Sequence, residues 1–168
     1  MTKNTPHRPD SDTSGLLGGV SAHFLPNPPE RLGVAVSGGG DSVALLHLLS
    51  RFCLSQGTSL FAVTVDHGLR TASADEAQSV AHLCKALEIP HTILRWSGWD
   101  QTGNLQDQAR RARYQMMTDW ARSNDIPVLA LGHTSDDQAE TVLLRLSRAS
   151  GVDGLAAMAA RRVHNGVT

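Results

Sequence analysis

The chain has 168 residues, of which 40% are hydrophobic and 18% are charged, and its net charge at pH 7 is −1. This length suits one domain with a single buried core, and the near-neutral charge gives no global attraction to nucleic acid. Two cysteines are too few for a disulfide framework or a four-ligand zinc site, and no apolar run approaches a membrane span, so we expect a cytoplasmic protein without a membrane partner.

The first 30 residues are rich in Pro, Ser, Thr, Asn and Gly and show no sustained periodicity. We expect residues 1–30 to form a flexible tail, with a short docked helix over Gly15–Leu25 as the alternative. Residues 31–168 are expected to form one domain. It begins with the strand Leu32–Val36, which leads through a Ser-Gly-Gly-Gly-Asp-Ser loop into a helix that ends near Ser55.

This glycine-rich loop has the features of an anion site. Glycines let backbone N–H groups approach a phosphate, and the helix N-terminus adds partial positive charge. The chain has no Gly-Lys pair, which excludes the P-loop, and the third glycine of the dinucleotide fingerprint would fall on Val43. The remaining pattern, Ser-Gly-Gly-x-Asp-Ser, resembles the signature of the PP-loop ATPases, which act on the α–β bond of ATP. The alternative is an ordinary glycine-rich turn.

After this first unit, the pattern predicts three more strands and three more helices. The predicted strands are Leu60–Val65, His91–Trp96 and Pro127–Leu131. The predicted helices begin at a capping box at Ser73, near Leu105 and at a second capping box at Ser135, and they end before Ile89, near Ser123 and near Arg148.

Alternating strands and helices predict an α/β fold with a doubly wound, mostly parallel sheet and helices on both faces, similar to a Rossmann fold. Such sheets bind ligands at the carboxyl ends of their strands. Three polar segments follow predicted strands and are therefore expected to meet at one edge of the sheet: Ser37–Ser42, Asp66-His67 and Gly132-His133.

The segment after the fourth strand holds candidate metal ligands. Asp137 precedes Glu140 by three residues on a predicted helix, so the two side chains can share a face, and His133 lies just ahead of them. A carboxylate pair beside a phosphate loop favours a Mg²⁺ site. The alternative is that such acids are first-turn residues favoured by the helix dipole, which is the interpretation we prefer for Asp136.

Five motifs in the expected order resemble the catalytic domain of the tRNA(Ile)-lysidine synthetases, a PP-loop family, over roughly Leu32–Met158. They are Ser37–Ser42, Val65–Arg70, Asn104–Tyr114 with its Ala-Arg-Arg-Ala-Arg-Tyr run, Gly132–Thr141 and Leu146–Leu155.

This resemblance implies a two-step ligation on the isoleucine tRNA with a CAU anticodon. ATP activates the C2 carbonyl oxygen of the wobble cytidine and pyrophosphate leaves. The ε-amine of L-lysine then attacks C2 and expels AMP, which gives lysidine. By the same resemblance, the ATP-binding residues are Ser37, Gly38, Gly39, Gly40, Asp41, Ser42, Asp66 and His67.

The resemblance also implies catalytic roles. Asp41 and Asp137 would share Mg²⁺, Arg113 would stabilise charge on the transferring phosphoryl group, and His133 and Glu140 would orient lysine or accept its proton. A basic strip is expected to contact tRNA phosphates, with a solvated helix face as the alternative. The residues of this strip are Arg110, Arg111, Arg145 and Arg148.

The chain departs from the family pattern at two places. Ala149 stands where the family usually has glycine, and the family carries a further strand and helix beyond the position of Thr168, so the catalytic domain is expected to be truncated. Two alternatives stay open: another PP-loop ATPase, such as a tRNA thiolase or an amide-forming ligase, and a non-catalytic ATP-binding fragment. The sequence leaves the oligomeric state open.

Overall fold

The computed structural model describes residues 11–66, 68, 71–97, 104–132 and 163–168. Within these ranges four helices alternate with four strands. In chain order they are α1 (Ser11–Phe24), β1 (Arg31–Ala35), α2 (Gly40–Gln56), β2 (Ser59–Asp66), α3 (Thr71–Ala86), β3 (His91–Arg95), α4 (Leu105–Ser123) and β4 (Val128–Leu131).

The four strands form one parallel sheet in the order β3-β2-β1-β4. Because consecutive strands run in the same direction, β1, β2 and β3 are each followed by a crossover connection that carries a helix. In register, Val34 of β1 lies between Ala62 of β2 and Ala130 of β4. The predicted α/β fold with a parallel sheet is therefore confirmed.

Apolar side chains cover both faces of the sheet, following the two-residue period of the strands. On one face, alternate residues such as Val34 and Ala62 pack with Leu46 of α2 and Cys84 of α3. On the other face, Val63 packs with helix α4. The buried residues of α4 in this second cluster are Met117, Trp120 and Ala121.

Part of the segment that we expected to be a flexible tail is helical. Helix α1 occupies Ser11–Phe24 and contacts α2, and the ring of Phe24 lies 5.3 Å from that of Phe52. Phe52 is buried, so its ring offers apolar surface on which α1 docks. This agrees with the docked-helix alternative and differs from a tail that is mobile throughout.

Helix α3 begins two residues earlier than the capping-box prediction. Ser73, the predicted cap, lies inside the helix, and its hydroxyl donates to Asp66 Oδ1 at 2.7 Å. The predicted cap was wrong because the chain is already helical from Thr71, which places Ser73 within the first turn of α3. The second predicted capping box, at Ser135, and the helix to Arg148 lie outside the described residues.

The outer edge of β4 is hydrogen-bonded to the last residue of the chain. Leu129 N–H donates to the Thr168 carbonyl at 2.8 Å, and Thr168 N–H donates to the Pro127 carbonyl at 3.0 Å. Thr168 thus pairs beside β4. Across the described ranges, no helix has both the length and the apolar character required to cross a bilayer.

One prediction concerns stability against pH. Burial lowers the pKa of His91, at the start of β3, below its ordinary value of about 6.5. As pH falls through about 6.5, the His91 imidazole takes up a proton more readily in the unfolded chain than in the folded chain. The free energy of unfolding should therefore decrease on acidification. Urea denaturation from pH 8 to pH 5 tests this, and His91→Gln should flatten the dependence; equal slopes for both proteins would contradict it.

Candidate phosphate-binding site

The loop after β1 leaves the sheet at its topological switch point. The chain builds β2 and β3 on one side of β1 and then crosses to place β4 on the other side. Loops on the two sides of such a point diverge and leave a crevice at the carboxyl ends of the strands, where doubly wound sheets bind ligands. Residues 37–42 lie at this crevice, as the sequence predicted.

Glycine is required at the first turn of this loop. Gly38 has φ +91°, in the left-handed region that side-chain-bearing residues rarely adopt. A Cβ there would also lie 3.6 Å from Cβ of Glu76 and 3.7 Å from Cγ2 of Val80, so α3 packs directly against the turn. The turn is thus fixed by its own backbone and by the neighbouring helix.

Two serine hydroxyls hold the loop together. Ser42 Oγ donates to the Gly39 carbonyl at 2.8 Å and accepts from Ser37 N–H at 3.2 Å. The two hydroxyls are 3.2 Å apart, and because the Ser42 hydrogen points to Gly39, Ser37 is the donor in that pair. Gly39 N–H in turn donates to Ser37 Oγ at 3.4 Å.

This arrangement changes what the loop offers to a ligand. Ser42 is buried and its hydroxyl is engaged within the loop, whereas residues 38–41 are exposed. Gly39 is the N-cap of α2 and has no side chain with which to cap it. The first-turn N–H groups of α2 therefore point outward at the positive end of the helix dipole, which is a suitable site for a phosphate.

The end of β4 touches the start of α2. A Cβ on Gly132 would lie 3.0 Å from Ser42 Cα and 3.1 Å from Ser42 N. Because those are backbone atoms, a side chain at residue 132 would require the start of α2 to shift by a few tenths of an ångström. The end of β4 is thereby held close to the start of α2.

Asp66 ends β2 at the same edge of the sheet. Its Oδ1 accepts from Gly68 N–H at 2.9 Å and from the Ser73 hydroxyl at 2.7 Å. These two donors fix the orientation of the carboxylate. Whether Asp66 contacts ATP stays a prediction, and His67 lies outside the described residues.

Arg113 carries an unpaired buried nitrogen. It lies one turn from Ala109 and one turn from Met117, both buried on α4, and its Nε is buried with no hydrogen-bond partner among the described residues. Its guanidinium carbon lies 5.4 Å from the centroid of the Tyr114 ring. Because α4 connects the carboxyl end of β3 to the amino end of β4, the first half of α4, with Arg113, lies toward the edge that holds the loop.

The other predicted residues divide into two groups. Arg110 and Arg111 are exposed on the first half of α4, and the guanidinium carbon of Arg110 lies 6.0 Å from the Tyr114 ring centroid. The remaining predicted site residues fall outside the described ranges. They are His133, Asp137, Glu140, Arg145 and Arg148.

Comparison with known proteins identifies the family to which the chain belongs. The model of a family described as PP-loop domain matches residues 19–168. The chain belongs to this PP-loop family. It is 59% identical over 153 residues to a tRNA(Ile)-lysidine synthase of Ruegeria pomeroyi, covering 90% of this chain and 36% of that protein. It is 48% identical over 136 residues to the synthase of Rhodopseudomonas palustris, covering 80% of this chain and 39% of that protein. The family resemblance seen in the sequence is therefore confirmed.

Two solved structures share the PP-loop fold at low identity. The U34-tRNA thiolase NcsA from Methanococcus maripaludis superposes with a TM-score of 0.71 at 20% identity, over 86% of this chain and 53% of that one. The NH3-dependent NAD synthetase from Campylobacter jejuni gives a TM-score of 0.55 at 16% identity, over 86% and 62%. The chain spans less than two fifths of the length of the two curated synthases.

A prediction follows from the contact between Gly132 and α2. Gly132→Ala forces a methyl group against backbone atoms that cannot turn away, and such overpacking costs about 1–3 kcal/mol. We expect the free energy of unfolding in urea to fall by that amount. Gly18→Ala on α1, where a Cβ meets open space, is the matched control and should not destabilise the protein. Equal stability of the two variants would contradict the close contact.

Proposed function

We propose that this chain is the ATP-binding catalytic part of a tRNA(Ile)-lysidine synthase, acting in the cytoplasm on the isoleucine tRNA with a CAU anticodon. The observation that carries the proposal is the 59% identity to a protein of that name along nine tenths of the chain. The braced glycine loop at the switch point supports it, because its outward N–H groups suit the pyrophosphate part of ATP.

In the proposed first step, the α-phosphate of ATP reacts with the C2 oxygen of the wobble cytidine and pyrophosphate leaves. Residues 38–42 would hold the β- and γ-phosphates through backbone N–H groups. Arg113 would place its guanidinium against the negative charge that develops at the α-phosphate, which would give its buried Nε a partner.

In the second step, the ε-amine of lysine attacks C2 and AMP leaves. Lysine must lose a proton to attack, so a base is required. We assign that role to His133 or Glu140, on the family resemblance. Arg110, Arg111, Arg145 and Arg148 would position the tRNA through its phosphates.

Asp41 fits a Mg²⁺ ligand. It lies in the first turn of α2, exposed beside the phosphate loop, and Mg²⁺ usually takes one or two carboxylates together with substrate phosphates. When bound, the ion would neutralise phosphate charge. Within the described ranges no three His, Cys, Asp or Glu side chains form a metal cluster, and Asp137, the second proposed ligand, lies outside them.

The cysteines argue against a thiolase. The chain contains two, Cys53 and Cys84, and both are buried. Burial raises the pKa of Cys53 to about 11 and also raises that of Cys84. Catalytic sulfur chemistry needs an accessible thiolate, which both environments disfavour.

The direct test is AMP release from ATP, Mg²⁺, lysine and an isoleucine tRNA transcript, with each component omitted in turn. AMP that requires both lysine and tRNA supports the proposal. ATP binding without AMP, both from this chain and from a longer chain extended to the relatives' length, would instead support the non-catalytic alternative.

A paired substitution tests Asp41. Asp41→Asn should weaken Mg²⁺–ATP binding by about tenfold or more, because an interaction with a charged group is lost. Asp125→Asn is the matched control: Asp125 lies at the opposite edge of the sheet, before β4, with φ +54°, which asparagine tolerates. Calorimetric titration with Mg²⁺–ATP measures both, and equal affinities would contradict a role for Asp41.

Arg113→Met separates function from stability. Replacing a half-buried arginine whose Nε has no partner among the described residues should change the melting temperature little, whereas AMP formation should fall by about a hundredfold or more. Thermal unfolding and the AMP assay measure the two effects. A large loss of stability with unchanged activity would show that Arg113 has a structural role.

A further inference from the structure

A single hydroxyl group links strand β2 to the start of the phosphate loop. Thr64 is only 4% exposed, in a strand of otherwise apolar buried residues. Its Oγ1 lies 2.7 Å from the carbonyl oxygen of Val36 and 2.8 Å from Nε2 of His91. Val36 immediately precedes Ser37, the first residue of the loop.

The direction of these hydrogen bonds follows from the groups involved. A carbonyl oxygen only accepts, so the one hydrogen of the Thr64 hydroxyl points to Val36. Oγ1 must then accept from His91, which places a hydrogen on Nε2 of the imidazole. The hydrogen bond from His91 therefore orients the Thr64 hydroxyl toward the Val36 carbonyl.

The Val36 carbonyl that accepts this hydrogen bond belongs to the Val36–Ser37 peptide group, where the loop begins. Regular pairing of β1 with β2 ends at Ala35 and Val63, and Val36 N–H adds a bond to the Val63 carbonyl at 2.9 Å. The Val36–Ser37 peptide group then has its oxygen held by Thr64 and its N–H held by Ser42 Oγ. Because a peptide group is planar, fixing its oxygen also fixes the direction of its N–H.

We infer that Thr64, aimed by His91, is a positioning residue for the phosphate loop: its hydroxyl sets the plane of the Val36–Ser37 peptide and, through Ser42, the outward direction of the N–H groups that meet the phosphates. The inference rests on the proposed function for its ligand. The positioning itself is a property of the free protein and is measured without ATP.

The experiment compares Thr64→Val, which keeps the shape and removes the hydroxyl, with Thr64→Ser, which restores the hydroxyl. Thr118→Val is the matched control, because Thr118 is equally buried, at 5% exposure, and its hydroxyl donates within α4 to the Tyr114 carbonyl. Hydrogen–deuterium exchange reports on the free loop, and calorimetry reports Mg²⁺–ATP affinity.

We expect Thr64→Val to speed exchange of peptides covering residues 37–43 by about tenfold, the size expected for one hydrogen bond, while residues 46–56 of α2 keep wild-type protection. ATP affinity should fall by a similar factor. Thr64→Ser and Thr118→Val should match wild type in both measurements.

Wild-type loop exchange in Thr64→Val overturns the inference, as does an equal effect in Thr64→Ser or Thr118→Val. If wild type itself fails to bind ATP, the proposed function fails, and the exchange data still decide the positioning role. If Thr64→Val does not fold, His91→Leu carries the test: it removes only the donor that aims the hydroxyl, so loop exchange must rise, and unchanged exchange overturns the inference.

Discussion

The central position of β1 is the constraint on which the site depends. With β2 on one side and β4 on the other, the chain that leaves β1 has to pass between two neighbouring backbones. Helix α3 limits it at Gly38, and Gly132 limits it at Ser42. Two glycines make this close packing possible. Gly38 adopts a positive φ, and Gly132 has no side chain that would press on Ser42. The loop is consequently held by its surroundings before any ligand arrives.

The groups that hold the loop in place differ from the groups that face a ligand. The serine hydroxyls and the Thr64 hydroxyl are engaged with backbone groups, so the groups left facing outward are peptide N–H groups and the exposed carboxylate of Asp41. Peptide N–H groups recognise the charge and spacing of phosphate groups, and they do not distinguish the rest of a ligand. Discrimination among ligands beyond their phosphate groups must therefore come from residues outside the loop.

Most strands and helices were predicted well from the sequence because their apolar residues recur at regular spacing. The long helix was predicted from about Leu105 to Ser123, as the structure has it, since its buried residues recur at helical spacing. The start of α3 was predicted wrongly because the capping pattern at Ser73 does not show that the chain is already helical from Thr71, and the hydrogen bond from Ser73 to Asp66 spans a turn that has no local sequence signal. Thr64 was missed for the same reason, although one polar residue within an apolar strand was a visible signal. Contacts between distant segments, such as Gly132 against Ser42, have no local signature.

The Nε atom of Arg113, which has no hydrogen-bond partner among the described residues, bears on the role proposed for this residue. A guanidinium nitrogen without a partner carries an unrecovered desolvation cost, and a side chain kept only for packing would avoid that cost with an apolar residue of similar length. Arg113 occupies a position between Ala109 and Met117 where a methionine or leucine would extend the apolar face of α4. Local rules of this kind are broken mainly at functional sites. This supports the proposal that the Arg113 guanidinium meets the negative charge of a phosphate group bound at the loop after β1.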